Sequence, residues 1–434
     1  MERERWLRRG PRMGSQQDEN RLSKVQQFWF QCLFGLSRLS KVYRFFIHKV
    51  IQHFADAVVE KYGKTGESAV LFPSPAVATR CMVFLSQQVP QLERHKVRIT
   101  ELVPIDQRIY TADTNFVLPK ISAVLFPSEH FAIAKTFWQH SGDGTSSRRA
   151  GYCHQLFKEG LLVEKAEAEN ATIFCKGPRR YRHSSSNRFT GGNSSPTIQP
   201  IPDTSTNAEE VPDPDQFVEE RFGRNLDLSL AAKAKLAIRR RIAGSLTANV
   251  DLQDALELEK DTDTQRQTPG FSEDDVYLFP TGMSSIFNTH QAMLASRGEL
   301  QSICYGLVTE QAQECGKADD NRFPYIDTLK ILQKFGPGCQ FYGHGSNEDL
   351  DDLETRLARG ERFLAFFCEF PGNPLLRSPD LRRIRQLADR YDFGVVVDET
   401  IGNFLNVHVL PYADVVVSSL TKVFSGDSNV MGGR

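Results

Sequence analysis

The sequence predicts an α/β fold, a mostly parallel sheet with helices on both faces, and three observations carry that expectation. Val395 to Val397 and Val415 to Val417 are β-branched runs without alternation, the pattern of strands covered on both faces of a parallel sheet. The stretch from Arg362 to Val397 reads as strand, helix, strand, the unit that joins parallel strands by a right-handed crossover. Tyr277 to Phe279, Thr281-Gly282 and Met283 to Ser296 repeat the order strand, turn, helix, with Gly298 as the closing cap.

A chain of 434 residues has room for two to three domains and a large core. Its net charge of −1 gives no electrostatic reason for a nucleic-acid or anionic-membrane partner, so small-molecule chemistry is expected. The 8 cysteines form no CxxC and have no His at zinc spacing, which points to a reduced intracellular protein without a metal site. No apolar run reaches the roughly eighteen residues of a membrane span. The Arg-rich start, MERERWLRRGPRMG, resembles a mitochondrial presequence, but Glu2, Glu4 and the lack of Ser before position 15 argue for a cytoplasmic protein.

Residues 1–44 have no clear pattern. From Phe45, the spacing of Phe46, Val50, Ile51, Phe54, Val58 and Val59 predicts an amphipathic helix ending near Gly63. Short apolar runs then alternate with helical patterns, so residues 45–175 read as an N-terminal α/β extension. VLFPS occurs at 70–74 and again at 124–128, by chance or as two strands of one region. Residues 176–215 are rich in Ser, Pro, Asn and Gly and read as a flexible linker. Residues 216–434 form the main domain, with a strong helix over Ala231 to Ile242.

Candidate chemistry lies where strands end. Asp398 and Lys422 each follow a buried-looking strand, the place where open α/β sheets bind ligands. Taken singly, each suits a solvated loop as well as a site. Together they suit a carbonyl cofactor, with Lys forming a Schiff base and Asp holding a pyridinium nitrogen. Gly282 and Met283 open a helix whose free amides suit a phosphate, unless Thr281 is simply an N-cap. Asn373 sits in a turn between Gly372 and Pro374, and Ser378 with Pro379 is the expected start of the next helix.

From Phe217 to Arg434 these residues resemble the Cys/Met-metabolism family of pyridoxal-phosphate enzymes, most closely the fungal cystathionine γ-synthases. The resemblance implies an aspartate-aminotransferase-like sheet of about seven strands and the cofactor pyridoxal 5'-phosphate. It implies that Lys422, in Ser419-Leu420-Thr421-Lys422, is the catalytic lysine bound to that cofactor. Asp398 would pair with the pyridine nitrogen, and Gly282, Met283, Ser419 and Thr421 would contact the phosphate. Tyr305 would stack on the ring, Asn373 would lie near the ring hydroxyl, and Arg224 would reach the phosphate of a neighbouring subunit in a homo-oligomer. The implied reaction is γ-replacement of an activated homoserine ester by cysteine, giving cystathionine for methionine synthesis. A homoserine-ester sulfhydrylase and a cystathionine lyase share the same cradle.

Four features depart from the family pattern. Phe222 stands where a Tyr is usual, and Glu399 follows Asp398 where many members have Asn, adding a carboxylate near the cofactor. Residues 307–322 interrupt Tyr305-Gly306 and Phe323-Pro324 and read as an inserted coding segment. The sequence stops soon after Lys422, without the family's C-terminal domain, so a catalytically incompetent product that binds the cofactor is the rival expectation. A plain nucleotide-binding module is a weaker rival, since no GxGxxG or Walker pattern is present.

Overall fold

The structure is a computed structural model that describes residues 46–91, 93–105, 120–174, 231–246, 268, 270–306, 326–373, 376–426 and 430–434. The expectations for residues 1–44, 176–215 and 307–322, and for Phe222 and Arg224, lie outside the described residues.

The N-terminal part contains helices α1 (Lys49–Tyr62), α2 (Pro75–Gln88), α3 (Phe131–Ser141), α4 (Ser147–Lys158) and α5 (Lys165–Phe174). Its strands are β1 (Glu67–Phe72), β2 (Arg98–Pro104), β3 (Ile121–Pro127) and β4 (Leu162–Glu164). The α1 helix buries Ile51, Phe54, Ala55 and Val58, as its spacing requires, and ends at Gly63, while Phe46 stays 60% exposed ahead of it. The sheet runs β1-β3-β2-β4 and every pairing is antiparallel. Val70 lies opposite Val124, so the two VLFPS segments are adjacent strands of one sheet. The all-antiparallel ladder comes from lateral pairing, which a one-dimensional alternation of strand and helix does not specify.

The C-terminal part contains α6 (Ala231–Ala243), α7 (Gly282–Arg297), α8 (Ile326–Lys334), α9 (Asn347–Ala358) and α10 (Leu381–Tyr391). Its strands are β5 (Ser302–Tyr305), β6 (Cys339–Tyr342), β7 (Ala365–Glu369), β8 (Gly394–Asp398) and β9 (Val415–Val417). They form one parallel sheet in the order β6-β5-β7-β8-β9. Five regular strands stand where about seven were expected, among the described residues. The expected strand Tyr277 to Phe279 is reduced to one antiparallel bridge between Phe279 and Gly433, which also bridges Ser419. Pro280 has no amide to extend that ladder, and Thr281 already caps α7.

The sheet is buried on both faces, which accounts for valine runs without alternation. Cys304, Phe367, Val396 and Val417 pack with Ile286 and Phe287 of α7 and with Phe84 and Phe137 of the N-terminal part. Ile303, Phe366, Val395 and Val397 pack on the other face with Leu350 and Leu353 of α9 and Ile384 and Leu387 of α10. One correction concerns the start of α10. Its cap is Asp380, whose carboxylate accepts the amides of Arg382 and Arg383, both at 3.1 Å. One side-chain oxygen serving two free amides of the first turn displaces the expected Ser378 cap.

Candidate functional site

Alternate residues of a strand face opposite sides of a sheet, and this rule sorts the candidate residues. Glu369 and Asp398 are paired residues at the carboxyl ends of β7 and β8. Both line a cavity with Ile286, Thr328, Phe367, Val396 and Val417, and a second one beside it with Pro371, Thr400 and Ile401. Burial pushes both carboxyls up: Asp398 is raised by burial against two bonds from Thr400, and Glu369 is raised to about 7 by burial and by the neighbouring Asp398. Glu369 accepts the Asn373 amide on Oε2 at 3.1 Å, while its buried Oε1 has no hydrogen-bond partner among the described residues. Two half-buried carboxyls side by side, one with an oxygen that accepts no bond among the described residues, make a place for a cation or a protonated nitrogen.

Asp398 Oδ1 accepts from both the amide and the hydroxyl of Thr400, at 2.9 and 2.6 Å. Thr400 Oγ1 in turn accepts the Ser419 amide at 2.8 Å. Ser419 lies against the start of α7, because a Cβ on Gly282 would stand 2.7 Å from Ser419 Cβ and 3.0 Å from its Cα. The sequence therefore has glycine where a helix N-terminus must approach another backbone. Thr281 caps that helix by accepting the Ser284 amide at 3.0 Å. The N-cap reading of this turn is therefore met by Thr281, while the amides of Gly282 and Met283 precede the first intrahelical bond. One chain of contacts joins Asp398, Thr400, Ser419 and Gly282.

Lys422 lies in the π-type turn Leu420–Phe424, with backbone angles φ −86° and ψ −112° outside the helical range. Its side chain is exposed. Thr421 Oγ1 accepts the Gly432 amide at 3.1 Å. Tyr305 departs from its expected place. It pairs with Cys368 across β5 and β7 and is buried with Tyr342 and Phe366 on the face away from Asp398, and its hydroxyl donates to Ser346 O at 2.6 Å. The strand alternation that directs Asp398 toward the cavity directs Tyr305 away from it. Glu399 also departs, because it is buried against Arg434, so the carboxylate added beside Asp398 is that of Glu369. Glu369 and Thr400 were not singled out from sequence, although Glu369 ends an apolar run in the way Asp398 does.

Residues 274–434 match the family described as Cys/Met metabolism PLP-dependent enzyme, and residues 50–146 match the fungal trans-sulfuration enzyme, N-terminal domain. The chain is 47% identical over 405 residues to a cystathionine gamma-synthase of Neurospora crassa, covering 90% of this chain and 63% of that protein. It is 37% identical over 421 residues to a cystathionine gamma-synthase-like enzyme of Amanita muscaria, covering 90% and 59%. Against the cystathionine gamma-synthase of Saccharomyces cerevisiae the identity is 33% over 452 residues, covering 90% and 64%. The chain thus spans less than two thirds of the length of these relatives. A solved cystathionine gamma synthase from Xanthomonas oryzae superposes on 36% of each chain, with a TM-score of 0.24 and 24% identity.

Proposed function

The chain belongs to the Cys/Met-metabolism family of PLP-dependent enzymes, and from that premise we propose that it serves a cystathionine γ-synthase reaction. An activated homoserine ester would lose its acyloxy group as a carboxylate, and the cysteine thiol, giving up its proton, would bond to the γ carbon in its place, giving cystathionine. The observation that carries this reading is the chain from Asp398 through Thr400 and Ser419 to Gly282, which ties a ring-nitrogen partner to a phosphate-binding turn.

Pyridoxal phosphate fits the residues present. The orphaned Glu369 Oε1 and the half-buried Asp398 mark a place short of positive charge, which a pyridine N–H would supply. The first turn of α7 offers amides and a positive dipole end to a phosphate. When bound, the cofactor supplies an electron-accepting ring for charge left on the substrate carbon. Asp398 holds the proton on the ring nitrogen, and Thr400 orients Asp398 through two bonds. Ser419 and the amides of Gly282 and Met283 bind the phosphate, and Thr421 supports that turn through Gly432. Lys422 Nζ would hold the cofactor through its aldehyde carbon and, once displaced there by the substrate amine, would move protons between the α and β carbons of the substrate. Asn373 keeps its place near the ring through its bond to Glu369. Tyr305 faces the far side of the sheet and serves as a core residue.

Arg224 would complete the phosphate site of a second copy in a homo-oligomer. A cytoplasmic setting agrees with the unpaired thiols of Cys81, Cys153, Cys304, Cys339 and Cys368. No helix among the described residues is long and apolar enough to cross a membrane.

The test mixes the purified chain with pyridoxal phosphate, reduces it with borohydride and maps the attached mass. Attachment at Lys422, lost in Lys422→Ala, is expected, and attachment at random lysines would reject the site. Product analysis with cysteine, sulfide or cystathionine then separates a γ-synthase from a sulfhydrylase or lyase. A chain that binds the cofactor at Lys422 but turns over none of these would be the cofactor-binding rival.

A further inference from the structure

The N-terminal part touches the proposed phosphate turn directly, through side chains that the proposed reaction does not use. Gly142 and Asp143 follow α3 and lie against the first turn of α7. The Thr281 hydroxyl donates to Gly142 O at 3.2 Å, and Ser284 Oγ donates to Asp143 Oδ1 at 2.5 Å. Gly142 has φ +63°, and a Cβ there would meet Thr281 Oγ1 at 2.3 Å and the Ser284 amide at 2.7 Å. Only glycine fits both that conformation and that approach.

Arg80 of α2 closes the network. Its guanidinium donates to Asp143 Oδ2 at 2.6 Å and to Asn288 Oδ1 at 2.9 Å. Asn288 then donates to Ser284 O at 2.8 Å. Asp143 and Ser284 are buried, at 5% and 0% exposure, so the bond between them is made away from solvent, while Arg80 reaches it from a partly exposed position. Arg80 and residues 142–143 fall in the stretch that matches the fungal N-terminal domain, and Thr281, Ser284 and Asn288 in the stretch that matches the PLP-dependent domain. The contact is therefore a polar bridge between two family domains, placed at the one turn on which a phosphate would rest.

We propose that Asp143, Arg80 and Gly142 of the N-terminal part are positioning residues for the phosphate of the cofactor, acting by fixing the first turn of α7. Charge-assisted bonds to Asp143 hold the Ser284 and Arg80 side chains in a single arrangement. With the Ser284 hydroxyl committed to Asp143 and its amide to Thr281, the amides of Gly282 and Met283 are the ones that precede the first intrahelical bond. A turn released from Asp143 would present those amides in several orientations and bind a phosphate monoester less tightly.

This inference rests on the proposed cofactor site, and its test separates the two. The full chain is titrated with pyridoxal phosphate and, separately, with pyridoxal, which has the same ring and aldehyde but no phosphate. Asp143→Asn and the milder Ser284→Ala are compared with the parent chain, and thermal unfolding of each is recorded without ligand. The expected result is a Kd for pyridoxal phosphate raised about tenfold in both variants, with the Kd for pyridoxal unchanged. The double variant should be no worse than the stronger single one, because both break one network. If both ligands weaken alike in step with lost thermal stability, the bridge is only a structural staple and the inference is wrong. If the parent chain binds neither ligand at Lys422, the cofactor reading falls, and the inference with it.

Discussion

Glu369 and Asp398 stand side by side at the ends of adjacent parallel strands, in register and facing one cavity. Burial and the neighbouring Asp398 raise Glu369 from 4.5 to about 7. Between those values the folded chain holds a proton that the unfolded chain has released. Stability from this group is therefore fully present below about pH 4.5 and lost as pH rises through about 7. The loss is on the order of 3 kcal/mol. Urea unfolding of the ligand-free chain from pH 4.5 to 8 should show Glu369→Gln less pH-dependent than the parent and more stable at pH 8. Parallel curves for the two proteins would show that Glu369 does not hold that proton.

Gly282 tests the contact between the α7 terminus and the Lys422 segment. An added methyl would sit 2.7 Å from Ser419 Cβ, a separation that requires backbone movement. Gly282→Ala is therefore expected to cost about 1–3 kcal/mol through overpacking, outweighing the better helix propensity of Ala. Its midpoint in urea should fall, and its affinity for pyridoxal phosphate should fall with it. A rise in midpoint would mean that propensity governs this position and that the two segments are not in close contact.

The parallel sheet was legible from β7, β8 and β9, whose unbroken apolar runs are closed by Glu369, Asp398 and Ser418, whereas β5 and β6 were not read from the sequence. The α7 turn was legible for a similar reason, since Thr281, Gly282 and Gly298 punctuate it. Lateral relations were not legible. Glu369 meets Asp398 only through strand register, and Asp143 meets Ser284 only through the packing of α3 on α7. The antiparallel pairing of Val70 with Val124 belongs to the same class, although the repeated VLFPS marked both strands. Tyr305 is a different case: its motif suggested a ring-stacking role, while its strand position places it in the core on the other face of the sheet from Asp398.

Phe137 of α3 gives the last prediction, because it stands between the two family domains. Its ring is 1% exposed and lies 5.8 Å from Phe72 and 5.7 Å from Phe84 on the N-terminal side. On the other side it lies 6.0 Å from Phe287 and 6.2 Å from Phe335. Phe137→Ala should cost about 3–5 kcal/mol, from lost burial and the cavity left behind. Phe54→Ala serves as the comparison, because Phe54 is equally buried but packs on His154 and Phe157 within the N-terminal part. Hydrogen exchange separates them: the α7 amides should lose protection in Phe137→Ala and keep it in Phe54→Ala when both are studied at matched global stability. Equal loss in the two variants would mean that the N-terminal part stabilises α7 as a whole and that Phe137 has no special share in the coupling.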